Sequence, residues 1–318
     1  MTPPTPAIVA QSAVRRLPRV ALLLLCLAYV LPGFIGREPW KNADMTSFGY
    51  MAELASGGAS WFNPTLLGRP PEFDALLPYW LGAWAVIAAP SWLSPDLAAR
   101  LPFVLLLGLT LAATWYGVYY LARSPQAQPV AFAFGGEASP RDYARAMADG
   151  GLLAMIACLG LAQLSHETTP AAAQLAFTAL AFFALAAAAW HPLIAGPVLA
   201  AGLAGLALSG APSMAVLLGT GSAALLLAGA ATPATERPRQ LQWAGFVALA
   251  TLAVAALAWA LDLYRWRLGL PGGAGRDWRS AGKLLLWFTW PAWPWRCGRC
   301  GAGGTSSPAA TWRCRCGS

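Results

Sequence analysis

The sequence predicts an all-α fold: a polytopic bundle of about eight or nine transmembrane helices whose first loop lies at the membrane interface. Of the 318 residues, 58% are hydrophobic and only 11% are charged, whereas soluble globular chains carry about 25% charged residues. Apolar runs long enough to cross a hydrocarbon core recur along the chain. From Thr168 to Thr235 there is no Asp, Glu, Lys or Arg.

Residues 1–18 are expected to form a cytoplasmic N-terminal tail. The segment is rich in Pro, and Arg15, Arg16 and Arg19 flank the start of the first apolar run. Because cationic residues beside a span tend to stay in the cytoplasm, they predict an inward N-terminus. No clear cleavage site follows the run, which therefore indicates an uncleaved first span.

Residues 37–80 follow this span and concentrate acidic and aromatic side chains. Five of the 13 acidic residues lie here, namely Glu38, Asp44, Glu53, Glu72 and Asp74. Aromatic rings settle at headgroup level, so the stretch is expected at a membrane–water interface. The spacing of Phe48, Met51 and Ala55 predicts a short amphipathic helix, capped by Asp44 and ended by Gly57. Asp44 is then either an ordinary helix cap or an acid held near lipid-borne substrates.

The apolar segments leave one inconsistency in the predicted topology. The spans are expected near residues 19–36, 76–92, 101–122, 149–165, 171–190, 192–209, 213–231 and 242–263, with a ninth beginning near 282. If each crosses once, the turn 165–170 (SHETTP) lies opposite Asp44 and the Arg-bearing loop 123–148 lies outside. The positive-inside bias favours the reverse, so either 76–92 or 101–122 is expected to be re-entrant or interfacial.

The C-terminal residues differ abruptly in composition from the rest. Four of the six cysteines, Cys297, Cys300, Cys314 and Cys316, have the spacing C-x2-C-x13-C-x-C, one residue short of a zinc-ribbon pattern. The sudden change near Trp295 to Arg, Cys, Gly and Trp is typical of a shifted reading frame. Residues 19–295 are therefore expected to form the membrane domain, and residues 296–318 a disordered, non-native tail rather than a metal site.

Several short motifs follow one another in a definite order within residues 15–295. They are Asp44, Met51-Ala52-Glu53-Leu54, Trp61, Pro64, Leu67-Gly68, Pro78-Tyr79-Trp80 and Ala99-Arg100-Leu101-Pro102. This order resembles the GT-C class of membrane glycosyltransferases, and within it the bacterial protein O-mannosyltransferases and lipid A aminoarabinose transferases. The resemblance implies an enzyme of the bacterial inner membrane that moves a sugar from a polyprenyl-phosphate carrier to a periplasmic lipid, glycan or protein acceptor. Membrane lipids would surround it, and no nucleic-acid partner is expected.

The resemblance also implies roles for individual residues. Asp44 matches the catalytic acid–base of the family, and Glu167 falls where a second acid, usually Asp, follows the fourth apolar segment. The candidate substrate-binding residues are Glu53, His166, Arg265, Arg267, Arg276, Arg279 and Lys283, of which the cations would hold the departing phosphate. Two lysines typical of the family are missing, from the turn 206–214 and from residues 72–75. A divalent metal ion could assist, but no ligand set is visible and no metal residue is assigned.

Other interpretations of these residues stay open. Positive-inside topology also explains the cations of residues 264–283, and a short solvated turn explains His166 and Glu167. For the whole chain, the alternatives to a glycosyltransferase are a transporter or flippase and a non-catalytic membrane subunit. Transporters usually show paired broken helices in two halves, and no such symmetry is visible in this sequence.

Overall fold

A computed structural model describes residues 8–36, 38–71, 74–132, 135–228, 237–264, 282–283 and 286. The chain divides into two compact units, Met1–Trp266 and Arg267–Ser318, and the helical bundle belongs to the first. Every regular element among the described residues is a helix, and the β contacts found there are three isolated bridges. The predicted all-α class is confirmed. The expected tail 296–318 lies outside the described residues.

The described part of the chain forms ten α-helices. They are α1 Arg19–Val30, α2 Lys41–Ser56, α3 Leu77–Ala88, α4 Pro95–Ala122, α5 Pro140–Ile156, α6 Leu159–Leu164, α7 Pro170–Ala187, α8 Pro192–Leu208, α9 Pro212–Ala228 and α10 Arg237–Ala260. Helices α4, α7 and α10 are long and apolar enough to cross a membrane, and α1, α3, α8 and α9 are apolar but shorter. These helices are compatible with a membrane protein, whereas the predicted count of eight or nine spans is not confirmed.

Proline and glycine set many of the helix boundaries. Prolines begin α4, α5, α7, α8 and α9, where the missing amide of proline would have no helical partner in any case. Helix α2 ends at Gly57, whose φ of 77° is left-handed, and the amides of Gly57 and Gly58 return to the carbonyls of Leu54 and Glu53. The predicted end of this short helix is therefore confirmed.

Contacts among these helices define two ends of the first unit. The basic end comprises residues 9–17, 123–132, 135–149 and 188–191, where the N-terminal segment bonds to residues 136–149 and Arg123 lies over the Trp190 ring. The acidic end comprises residues 34–36, 38–71, 95–100, 165–170 and 208–211. Helices α1, α4, α7, α8, α9 and α10 each run between the two ends, and α5 with α6 makes one further passage.

Helix α3 stays at the acidic end. The Leu76 amide before it donates to the Leu208 carbonyl (2.8 Å), and the chain after it enters α4 at that same end, where Arg100 donates to the Phe34 carbonyl (3.3 Å). Its 12 residues span only about 18 Å. The sequence predicted that either 76–92 or 101–122 does not cross, and the position of α3 at one end of the unit favours 76–92.

Residues 149–165 do not form the single helix that was predicted. Helix α5 already begins at Pro140 because the Ser139 hydroxyl caps it, accepting from the Asp142 amide (3.3 Å). It ends at Ile156, and an extended residue, Cys158, separates it from α6. The prediction followed the apolar residues alone and so missed the polar first half of α5.

Small residues allow the helices of the second half to approach closely. A Cβ built on Gly205 would lie 2.3 Å from the Phe177 ring, and one on Gly202 would lie 3.0 Å from the backbone nitrogen of Ala181. Such contacts between backbones are the usual basis of helix packing in lipid. They join α7 to α8 and so hold the N-terminus of α7 at the acidic end.

Candidate functional site

Five consecutive polar residues are buried at the acidic end, in the turn before α7. Ser165, His166, Glu167, Thr168 and Thr169 have exposed fractions between 3% and 8%. A short solvated turn, one of the two interpretations of this segment, is therefore wrong. Because buried polar groups are costly unless they are hydrogen-bonded, their partners show what the turn does.

Asp44 contacts this turn directly and is itself only 2% exposed. Its Oδ1 accepts from the Thr168 amide (2.8 Å) and from the Thr168 hydroxyl (2.6 Å), and its Oδ2 accepts from the Trp40 amide (3.3 Å). The contact joins residues that are 124 positions apart in the chain. The first loop and the SHETTP turn therefore meet at one end of the bundle.

The predicted helix cap at Asp44 is wrong. Helix α2 begins at Lys41, with Trp40 in the N-cap position, so Asp44 lies inside the first turn. A carboxylate there is favoured by the helix dipole, and it also satisfies the Trp40 amide. Lys41 has a φ of 68°, which a non-glycine residue adopts at a cost, and such outliers are frequent at functional sites.

His166 links the turn to α1. Its Nε2 lies 2.8 Å from the Tyr29 carbonyl, and its Nδ1 lies 2.6 Å from the Ala162 carbonyl and 3.2 Å from the Ser165 hydroxyl. A Cβ on Gly33 would lie 2.0 Å from ring atom Cδ2, so the ring packs against bare backbone. The protein thus engages both ring nitrogens of this predicted substrate-binding residue.

The other acids of the prediction occupy different places. Glu167 is 4% exposed and adjoins Thr168, and its Oε1 accepts from the side-chain Nε2 of Gln163 (3.0 Å). Glu53 is half-buried on α2, nine residues after Asp44, which corresponds to the opposite helix face and a distance of about 13 Å along the axis. The structure therefore brings Asp44 and the Glu167 turn together, but not Glu53.

The predicted phosphate-binding cations belong to the loop of residues 264–283. Arg265, Arg267, Arg276 and Arg279 lie outside the described residues, and Lys283 is exposed in the second unit. The described residues include no group of three His, Cys, Asp or Glu side chains that could hold a metal ion.

Sequence reasoning assigned no individual role to Thr168, which it named only within the turn 165–170, or to Arg100, which it named only within the motif Ala99-Arg100-Leu101-Pro102. Arg100 is 4% exposed and its Nη1 donates to the Phe34 carbonyl (3.3 Å), which fixes the chain that follows α1. Thr168 resembled an ordinary polar residue before a proline-started helix. A usable signal was the run of five polar residues between two apolar segments, since such residues at membrane depth face the protein interior.

A third buried carboxylate, which sequence reasoning also missed, lies at the basic end. Asp149 is 3% exposed; its Oδ1 accepts from Trp115 Nε1 (2.8 Å) and its Oδ2 from the Leu17 amide (3.0 Å). Arg16 pairs with Asp142 at 2.8 Å nearby. The described part of the N-terminal segment is thus anchored on α5.

Two cavities lie within the first unit. One, of about 400 Å³, is apolar and lies among α4 to α9, lined by residues that include Leu161, Leu175, Phe182 and Leu199. The other, of about 310 Å³, is more polar and is lined by residues 62–64, 71, 74–76 and 261–263 at the acidic end.

Comparison with protein-family models, with curated proteins and with solved structures found no match to this chain. The resemblance to the GT-C class therefore rests on the residues and motifs of this sequence.

Proposed function

We propose that this chain is a membrane glycosyltransferase that moves a sugar from a polyprenyl phosphate to a lipid, glycan or protein acceptor. The observation that supports this most is the contact between Asp44 and the turn that carries Glu167. The resemblance selects these two segments as the carriers of the functional acids, and they meet although 124 positions separate Asp44 from Thr168.

Asp44 is the proposed general base. A polyprenyl phosphate is already a good leaving group, so the reaction needs a base for the acceptor and cations for the departing phosphate. Since Asp44 is only 2% exposed, an acceptor reaches its Oδ2 after the main chain at Trp40 moves away. The weak 3.3 Å bond from the Trp40 amide and the left-handed Lys41 lie at the point where this movement is required.

The donor would be held by its chain and by its phosphate. The apolar cavity of about 400 Å³ suits a segment of prenyl chain. Arg265, Arg267, Arg276, Arg279 and Lys283 remain the proposed phosphate ligands. A divalent ion could assist them, although the described residues offer no ligand set.

The proposed orientation follows from the charge of the two ends. Arg15, Arg16, Arg19, Arg123, Arg141 and Arg145 belong to the N-terminal segment, the start of α1 and the loop and helix after α4. The positive-inside bias would place this basic end, with the N-terminus, in the cytoplasm of a bacterial cell. Asp44 and Glu167 would then act at the periplasmic face of the inner membrane.

The test is sugar release by the purified full chain in lipid nanodiscs. Polyprenyl-phosphate-linked hexoses and aminopentoses are supplied together with a membrane extract as the source of acceptor, and the free polyprenyl phosphate formed is measured. We expect Asp44→Asn to lower transfer about 100-fold or more, the usual contribution of a general base. Glu38→Gln, at an exposed acid of the same loop, is the matched control and should leave the rate unchanged.

Two outcomes would contradict the proposal. One is no release from any of these carriers by the parent chain, and the other is release by Asp44→Asn at the rate of the control. Movement of an intact carrier across the bilayer without release would instead support the alternative of a flippase.

A further inference from the structure

We infer that Thr168 is a positioning residue, which holds Asp44 so that Oδ2 is the oxygen that takes the proton of the acceptor. This role depends on the proposed function of Asp44 as a base. It concerns a residue to which neither the resemblance nor the sequence motifs assign a role.

The hydrogen bonds distinguish the two oxygens of Asp44. Oδ1 receives both the amide and the hydroxyl of Thr168, at 2.8 and 2.6 Å. These two donors occupy the two lone pairs of that oxygen. Oδ2 receives one longer bond, 3.3 Å, from the Trp40 amide. A lone pair of Oδ2 is therefore left for a proton.

Thr168 can act in this way because its own position is fixed. On its N-terminal side, the two ring nitrogens of His166 lie within hydrogen-bond distance of carbonyls of α1 and α6. On its C-terminal side, Thr169 is extended (φ −103°, ψ 159°) and Pro170 begins the 18-residue helix α7. A base that is held by a residue between rigid helices is already aligned before the acceptor binds. This alignment in advance supplies much of the rate increase that comes from orientation.

The step balances with the groups already named. The proton of the acceptor hydroxyl or amine passes to Asp44 Oδ2, and the acceptor atom bonds to the anomeric carbon of the sugar. The bond from that carbon to the phosphate oxygen breaks, and its electron pair remains on the polyprenyl phosphate. Thr168 touches neither substrate, so its effect should fall on kcat and not on KM.

The experiment compares three threonine variants of the full chain in nanodiscs, with the polyprenyl-phosphate sugars used for the parent. Thr168→Val removes the hydroxyl but keeps the shape and the amide, and we expect kcat to fall about 10- to 100-fold at unchanged KM. Thr168→Ser restores the hydroxyl and should recover most of the parental kcat. Thr169→Val is the matched control, because the neighbouring hydroxyl is buried and has no hydrogen-bond partner among the described residues.

A double-mutant cycle separates positioning from a general loss of structure. Added to Asp44→Asn, Thr168→Val should lower kcat no further, because the group that it positions is already gone. Equal loss in both backgrounds would overturn the role, as would a parental kcat for Thr168→Val or an equal loss in Thr169→Val. No release by the parent chain refutes the proposed function itself, and with it this role. If the parent chain does release the carrier but one of these three variant results is found, only the role of Thr168 is refuted.

Discussion

Gly33→Ala should destabilise the protein, because the new methyl group has no room beside His166. A Cβ at position 33 would lie 2.0 Å from Cδ2 of the histidine ring and 2.5 Å from Cγ. The ring cannot move freely, since Nε2 and Nδ1 lie 2.8 and 2.6 Å from the carbonyls of Tyr29 and Ala162. Overpacking costs about 1–3 kcal/mol, and losing one of the ring's hydrogen bonds costs about 1 kcal/mol more. We therefore expect a loss of about 2–4 kcal/mol in the free energy of unfolding.

The measurement is denaturant unfolding in mixed micelles, with Gly108→Ala as the matched control. Gly108 lies inside α4, where a Cβ would meet nothing within 4 Å, so its substitution should be neutral or stabilise by up to about 1 kcal/mol. In the double variant with His166→Ala, the steric cost of alanine at position 33 should largely disappear. If Gly33→Ala changed the free energy of unfolding no more than Gly108→Ala does, the contact between the α1 end and the SHETTP turn would be refuted.

Three further predictions concern the basic end and the orientation. Asp149→Ala should lower the free energy of unfolding by about 2–4 kcal/mol, since the Trp115 and Leu17 N–H groups lose their acceptor. A loss below about 1 kcal/mol would contradict the role of Asp149 in anchoring the N-terminal segment. The hydrogen bond from Gln11, helped by Ser139 and the charges of Arg16 and Arg145, holds the pKa of Asp142 below its ordinary value. Docking of the N-terminal segment is thus stabilised above about pH 4 and should weaken as the pH falls through the lowered pKa of Asp142. Hydrogen exchange of residues 9–17 would measure this weakening. Asp142→Asn should abolish the pH dependence. Ser56 and Gln126 are exposed positions at opposite ends of the first unit. In a cysteine-free background, an impermeant maleimide added to intact cells should label Ser56→Cys but not Gln126→Cys. The reverse labelling pattern would contradict the proposed orientation.

Composition and local sequence determined the class of the fold and several helix boundaries. The scarcity of charge and the recurrence of apolar runs were enough to predict the all-α class, because a backbone placed in lipid must satisfy its hydrogen bonds within each segment. Proline at a helix start and glycine at a helix end set the boundary through their own backbone, because proline fixes φ and lacks an amide hydrogen and glycine adopts a positive φ. The end of α2 at Gly57 and the starts of α7, α8 and α9 were therefore predictable from their immediate neighbours.

Tertiary structure alone decided how these elements combine. The burial of Asp44 and its bonds to Thr168 join segments 124 residues apart, and no local pattern specifies which distant donor a carboxylate will meet. The sequence also did not determine that the chain after α3 enters α4 at the same end of the unit. Hydropathy measures whether a segment tolerates lipid, and it does not show whether the segment runs from one end to the other. Asp149 was only the first residue of a predicted apolar span, and the structure shows that it accepts hydrogen bonds from Trp115 and Leu17. A sequence thus shows which side chains can form hydrogen bonds, and packing decides which of them are buried and must do so.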